Sequence, residues 1–203
     1  MADQNPWGEL PRSEPEAASP NGDLLAASAG AFGVRAAGRI IDFLANILVG
    51  GVAGGVGGVV LALAGGTYAD STAIYSTLAG FLGSLLMSSL SEALGGATIG
   101  KWILGYRVVS VTPLGRCGIG AALIRNLGYY IDALFFGLVA YYTMGNNPLQ
   151  QRLGDKWGGT AVIAASALPP EAHSPGSRVA LGVAIAAGVT GFVQTLAIVL
   201  PNL

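Results

Sequence analysis

Charged side chains are scarce in this chain. Its 203 residues include only 10 Lys and Arg and 11 Asp and Glu, which is 10% of the sequence, against roughly 25% in an average soluble domain. A water-soluble globule needs a more highly charged surface than this. The formal net charge of -1 also lacks the basic excess of nucleic-acid-binding proteins, so we predict no nucleic-acid partner.

Cysteine and histidine are also nearly absent, with one residue of each. One cysteine cannot form a disulfide within the chain, and one histidine cannot assemble a zinc site. Neither a G-x-S-x-G elbow nor an H-E-x-x-H helix occurs. The stretch from Gly95 to Trp102 matches a P-loop only in its glycines and lysine, because Trp102 stands where Ser or Thr must bind magnesium. We predict neither an enzyme nor a cofactor or metal site.

Long uncharged stretches dominate the remainder, and the mean hydropathy is +0.60. Runs of 27, 21 and 25 uncharged residues cover positions 43–69, 71–91 and 179–203. A helix needs about 20 residues to cross the bilayer core, so we predict three transmembrane spans. A fourth run, 133–151, has only twelve strictly apolar residues at its start. This segment either spans the membrane at a tilt or is re-entrant.

The predicted fold class is all-α, a polytopic transmembrane helical bundle with an interfacial cytoplasmic segment. We divide the chain into a disordered arm (1–33), a membrane domain (34–163), a flexible linker (164–178) and an additional C-terminal transmembrane helix (179–203). The arm contains four prolines and five acids, a composition typical of disorder. Lys and Arg residues flanking the first two spans predict that the N-terminus is cytoplasmic.

Small residues in the first span predict close helix packing. Gly50, Gly54 and Gly58 form two overlapping GxxxG motifs, which let helix backbones approach each other in lipid. We expect the second span to be the partner, because it has small residues at the same spacing. A homodimer interface is the alternative.

The few charges near the spans form a repeated pattern. The motif R-x-x-G-x-x-I-D occurs from Arg35 to Asp42 and again from Arg125 to Asp132, ninety positions later. The spacing places the arginine and the aspartate on one helix face, and charged groups within membranes usually face the bundle or a cavity. Each aspartate is either held in an ion pair or acts as a proton or cation site. Glu92, at the end of the second span, is expected at the membrane interface.

Four stretches resemble the motifs of the RDD family of bacterial integral membrane proteins. They are VRAAGRIIDFL, GGATIGKWILGYRVVSV, LIRNLGYYID and QRLGDKWGGTAVI, in that order. Arg35 and Asp42 fall at the family's arginine and first aspartate. Asp155 is taken as the second aspartate, with Asp132 as the alternative. The other matching motif positions that we single out are Thr98, Gly100, Lys101, Arg152, Gly154 and Thr160.

The resemblance implies a multi-pass protein of the bacterial plasma membrane. It also implies transport of an unidentified ligand, with cation–proton exchange suggested for some members of the family. We expect Thr98 to Val111 to lie in the headgroup region, with Ile99, Trp102 and Ile103 opposite Lys101 and Arg107. If Asp155 folds back toward Lys101 or Arg125, these charges would satisfy one another near Asp42.

Two functional hypotheses follow. In the first, the charges exchange a small cation for protons across the membrane; these charges are Arg35, Asp42, Arg125, Asp132 and Asp155. In the second, the protein is a non-transporting accessory subunit, scaffold or lipid-contacting protein. Its partners would then be the lipid bilayer, another membrane protein or a second copy of the chain.

Overall fold

The computed structural model describes residues 20–68, 72–170 and 172–202. The helices are α1 (Pro20–Ala27), α2 (Phe32–Leu63), α3 (Thr72–Gly95), α4 (Ile99–Ile103), α5 (Ile119–Asp132), α6 (Leu134–Gly145), α7 (Leu153–Trp157) and α8 (Gly176–Val199). The strands are β1 (Tyr106–Ser110), β2 (Gly115–Arg116) and β3 (Thr160–Ala164). Short 3-10 turns cover Ala165–Ala167 and Leu200–Asn202.

Among the described residues, α2, α3 and α8 are each long and apolar enough to cross a membrane. These helices confirm the three predicted spans. At 1.5 Å per residue, the 32 residues of α2 extend over about 48 Å, well beyond a bilayer core of ~30 Å. Part of α2 therefore extends beyond the hydrocarbon region, and its first turns, which contain Arg35 and Arg39, are the charged part.

Helix α8 is an integral part of the bundle and packs along both α2 and α3. Gly95 and Gly182 permit this approach, since a Cβ atom on Gly95 would lie 2.8 Å from the Cα atom of Val179 and one on Gly182 would lie 2.8 Å from the Gly95 nitrogen. Thr72 in α3 donates a hydrogen bond to Asn202 at the opposite end. The C-terminal helix is thus not a loosely joined addition.

The glycines of α2 have a different partner from the one that we expected. A Cβ atom on Gly50 would lie 3.3 Å from Gln194 Oε1, and one on Gly54 would lie 4.0 Å from Ile198, so both glycines face α8. Gly58 instead faces the hydroxyl group of Tyr68. Helices α2 and α3 contact each other little, because α8 packs against both of them. The predicted α2–α3 packing is therefore wrong.

Helices α5 and α6 form a sharply bent pair. Their axes are bent by 116°, and the bend contains left-handed backbone at Phe135, Phe136 and Gly137. Strand β2 precedes the pair, and α7 and β3 follow it. Both strands pair with β1 in one sheet, so the two ends of the bent pair lie on the same side of the bundle. Of the two alternatives for this segment, this geometry favours the re-entrant one.

The sheet is antiparallel, with strand order β2-β1-β3, and it adds a β element to the predicted helical bundle. It buries Val109 and Ile163 against Leu25 of α1, while Ala29 forms a bridge with Ile163. Of the predicted disordered arm, residues 1–19 lie outside the described residues. Residues 20–33 are ordered instead, because the apolar face of α1 is covered by the sheet.

The described residues of the predicted flexible linker, 164–170 and 172–178, are also structured. They begin with the last residue of β3, continue through the 3-10 turn and end inside α8. Ala172 and Ser174 are buried, and the Ser174 carbonyl oxygen accepts a hydrogen bond from Arg107. Packing against the sheet end of the bundle holds a segment whose composition alone suggests a loop.

Two units of the fold repeat with an offset of 54 residues. Helices α4 and α7 both have five residues, strands β1 and β3 both have five residues, and Gly105 and Gly159 between them have positive φ values of 75° and 59°. The equivalent residues Val108 and Val162 face each other in the β1–β3 pair. An approximate twofold axis therefore passes near this pair and relates α4–β1 to α7–β3.

Candidate functional site: a buried charge network

Each R-x-x-G-x-x-I-D helix packs against one of the two short helices through a pair of glycines. Gly38 of α2 lies against Gly100 of α4, and a Cβ atom on Gly100 would collide with the Gly38 carbonyl oxygen. Gly128 of α5 lies against Gly154 of α7, where an added Cβ on Gly128 would lie 2.5 Å from the Gly154 Cα atom. The same sequence motif thus builds the same backbone contact twice.

The aspartates of the two motifs have the same structural role. Asp42 accepts hydrogen bonds from the Gly100 backbone nitrogen at 2.8 Å and from the Thr98 hydroxyl at 2.7 Å. Asp132 accepts hydrogen bonds from the backbone nitrogens of Leu153 at 3.1 Å and Gly154 at 3.3 Å. The first N–H groups of a helix have no partner within the helix, so both carboxylates cap a short helix from a neighbouring one.

Asp155 lies at the centre of an arginine cluster and is fully buried. It forms ion pairs with Arg35, with Arg125 at 2.8 Å and with Arg152 at 3.4 Å. The Thr160 hydroxyl donates a hydrogen bond to the Asp155 backbone carbonyl. Burial raises the pKa of Asp155, but Arg152, Arg125 and Arg35 together hold that pKa well below the usual range of a carboxyl group. Asp155 is therefore a permanent anion at neutral pH.

Glu92 connects this cluster to the other short helix. Its carboxylate forms ion pairs at 2.9 Å with both Lys101 and Arg125, and Asn126 donates a hydrogen bond to it at 2.8 Å. Lys101 also donates to Thr98 and lies 4.0 Å from Asp42. Glu92 lies near the end of α3 as expected, but it does not face the headgroups, because α4 and α5 bury it completely.

The charged side of the segment from Thr98 to Val111 does not face outward as expected. Lys101 is only 8% exposed and Arg107 is also buried, whereas Ile103 is 64% exposed. The two charged side chains thus turn into the protein, Trp102 and Ile103 face outward, and Val108 and Val109 are buried in the sheet. Burial lowers the pKa of Lys101 to about 8, and the attraction of Glu92 and Asp42 offsets this only in part.

Arg125 contacts both Glu92 and Asp155, so the two clusters form one continuous network. A family model described as "RDD family" matches residues 29–159, which contain the network from Arg35 to Asp155. The chain belongs to the RDD family. No curated protein and no solved structure matches it. The family and the three spans together establish a multi-pass membrane protein.

All the charges predicted for the site of this RDD protein meet at one end of the bundle, and the matching motif positions lie among them. Two members of the network, Arg39 and Asn126, were missed in the sequence. Glu92 was named there, but not as a buried member. Arg39 donates hydrogen bonds to Ser88 and Asn126. A signal for the two missed residues was available, since Arg39 follows Arg35 by one helical turn and Asn126 follows Arg125 directly. No group of three His, Cys, Asp or Glu side chains that could hold a metal occurs in the described part of this RDD protein.

Proposed function

We propose that this RDD protein is a non-transporting membrane component, a scaffold or accessory subunit, whose charge network is structural. The observation that supports this most is that all four carboxylates of the network are bound by groups of the protein itself. Asp155 and Glu92 are each shared by two or more cations, and Asp42 and Asp132 cap short helices. A carboxylate that carries ions must release its protein partners in every cycle, and here this would expose buried cations at high cost.

We further propose that the sheet-bearing end faces the cytoplasm of a bacterial cell. Arg12 lies outside the described residues, and the other nine Lys and Arg residues all belong to the sheet end. The α2–α3 connector at the other end, 64–71, has none. An excess of Lys and Arg marks the cytoplasmic side. With α5 and α6 re-entrant, Arg152, Lys156 and Arg178 also comply with this rule.

Labelling with a membrane-impermeant maleimide tests the orientation. Thr67→Cys in the α2–α3 connector should react in right-side-out vesicles, whereas Thr112→Cys, between β1 and β2, should react only in inside-out vesicles. Native Cys117 gives little background, because it is 2% exposed and burial raises its pKa to about 11. Reaction of Thr112→Cys in right-side-out vesicles contradicts the orientation.

Cation–proton exchange is the second candidate, and the buried amine of Lys101 between Glu92 and Asp42 favours it. With its pKa lowered to about 8, this amine can change its charge near physiological pH. Proteoliposomes containing the full chain should separate the two functions when a pH gradient is applied. We expect no cation flux above protein-free liposomes. Flux that is lost in Lys101→Met and kept in the exposed control Lys156→Met would establish exchange and overturn the proposed role.

A further inference from the structure

A cavity of about 320 Å³ lies beside the charge network, between α2, α5 and α6. Three arginines line one part of it: Arg35, Arg39 and Arg152. The remaining lining is mostly apolar and reaches Phe136 at the bend of the re-entrant pair. A network that only stabilises the fold does not require a cavity lined by arginines on one side and apolar residues on the other.

The arginines of the cavity have more positive charge than the protein neutralises. No carboxylate of the described residues lies within 4.0 Å of the Arg39 guanidinium. This group instead stacks on the Tyr129 ring at 4.1 Å and donates one hydrogen bond from each Nη to the neutral groups of Ser88 and Asn126. Arg35 Nη2 is buried without a hydrogen-bond partner. Arg152 shares Asp155 with two other arginines, at 3.4 Å. Several N–H donors therefore remain for an anion.

Asp132, the one carboxylate that lines the cavity among the described residues, does not supply that anion. Both of its oxygens already accept hydrogen bonds from the backbone of α7. A bound cation is excluded by the surrounding arginines, whereas guanidinium groups match the oxygens of a phosphate group in charge and geometry.

The cavity opens where the protein surface is apolar. Ile40, which lines it, is 62% exposed, and Phe136 is fully exposed. In a membrane protein, such residues face lipid tails, while Arg35 and Arg39 lie in the first turns of α2, near the headgroups. An occupant must therefore be anionic at one end and apolar at the other.

We propose that this cavity binds the phosphate headgroup of an anionic phospholipid. Arg39 binds the phosphate oxygens, Arg35 and Arg152 add positive charge beside them, and an acyl chain lies along Ile40 and Phe136. Basic pockets between membrane helices recognise anionic headgroups through the same combination of charge and depth. The site goes beyond the proposed function and does not depend on whether the protein transports ions.

Native mass spectrometry of the delipidated full chain in detergent tests the site. The probes are phosphatidylglycerol and phosphatidylcholine with identical acyl chains. We expect phosphatidylglycerol to bind at least about tenfold more tightly, and Arg39→Gln to reduce that affinity about tenfold, since one charge-assisted hydrogen bond accounts for such a factor. Arg116→Gln, an exposed arginine on β2, is the matched control and should bind as the wild type does.

A second variant keeps the test decisive if Arg39→Gln does not fold. Ile40→Trp enlarges an exposed side chain at the mouth of the cavity and should also lower the affinity for phosphatidylglycerol. Equal affinities for the two lipids, or equal losses in Arg39→Gln and Arg116→Gln, overturn the proposal. Complete displacement of phosphatidylglycerol by millimolar inorganic phosphate overturns the lipid assignment, because the site would then bind a free anion. None of these outcomes bears on the flux assay that tests the proposed function.

Discussion

Replacing Asp155 with Asn tests whether the network stabilises the fold. Asp155 is fully buried and neutralises Arg35, Arg125 and Arg152 with one carboxylate. Asparagine keeps the shape of the side chain and removes its charge. Among the described residues, the three buried guanidinium groups then have only Glu92, through Arg125, as a close counter-ion.

The expected loss follows from the burial of these groups. Removing one partner of a buried ion pair lowers the free energy of unfolding by about 3–5 kcal/mol, because the remaining charge is left buried and uncompensated. Asp132→Asn is the matched control. Asp132 accepts one backbone N–H group with each of its two oxygens, and Asn keeps only one acceptor oxygen. We therefore expect this variant to lose about 1–3 kcal/mol, less than Asp155→Asn.

Equilibrium unfolding in mild detergent, followed by tryptophan fluorescence, measures both losses. The difference between wild type and Asp155→Asn should be constant at neutral pH. Since the pKa of Asp155 in the folded protein lies below its unfolded value of about 4, its contribution is present above pH 4 and disappears as the pH falls through the folded pKa. A loss for Asp155→Asn no larger than that for Asp132→Asn would refute a stabilising role.

Further variants test the glycine contacts and the buried lysine. Gly100→Ala should lower the free energy of unfolding by about 1–3 kcal/mol, since its Cβ collides with the Gly38 backbone, while Gly120→Ala in open space should gain up to about 1 kcal/mol. Gly95→Ala should likewise be destabilising, because its Cβ would lie 2.8 Å from the Val179 Cα atom of α8, unlike Gly80→Ala, which has open space. The folded pKa of Lys101, about 8, lies below its ordinary value of 10.5, so the unfolded chain binds more protons between these pH values. The wild type should therefore gain stability relative to Lys101→Met as the pH rises through that window. The glycine contacts are contradicted if Gly100→Ala and Gly120→Ala, or Gly95→Ala and Gly80→Ala, change the free energy of unfolding equally. The buried lysine is contradicted if the stability of the wild type and of Lys101→Met depends on pH in the same way.

The spans and the charged end of the bundle were predictable because their signals are local. A run of more than 20 uncharged residues predicts a membrane helix whatever its neighbours are. The repeated R-x-x-G-x-x-I-D motif correctly singled out two helices that have equivalent contacts. The roles of Asp42 and Asp132 as caps were not predictable, since the caps depend on where α4 and α7 pack.

Other features depend on contacts between distant residues and left no clear signal. Glu92 ends an apolar run, which normally indicates the interface, and only the packing of α4 and α5 over the end of α3 buries it. The second repeat, with its offset of 54, is hidden because its equivalent residues differ in chemistry, as Lys101 and Asp155 do. Its geometry is preserved by glycines at matching turns. Strand pairing likewise places both ends of the α5–α6 pair on one side of the bundle, a relation that the length of the segment does not reveal.

The account depends most directly on the claim that α5 and α6 enter and leave the membrane on one side, so that the network cannot face both sides in turn. Asn146 is exposed just after α6, and Asn146→Cys locates that end. We predict that an impermeant maleimide labels Asn146→Cys in inside-out vesicles only, as it does Thr112→Cys. Labelling of Asn146→Cys in right-side-out vesicles, together with Thr67→Cys, would show that the pair crosses the membrane and would contradict the account.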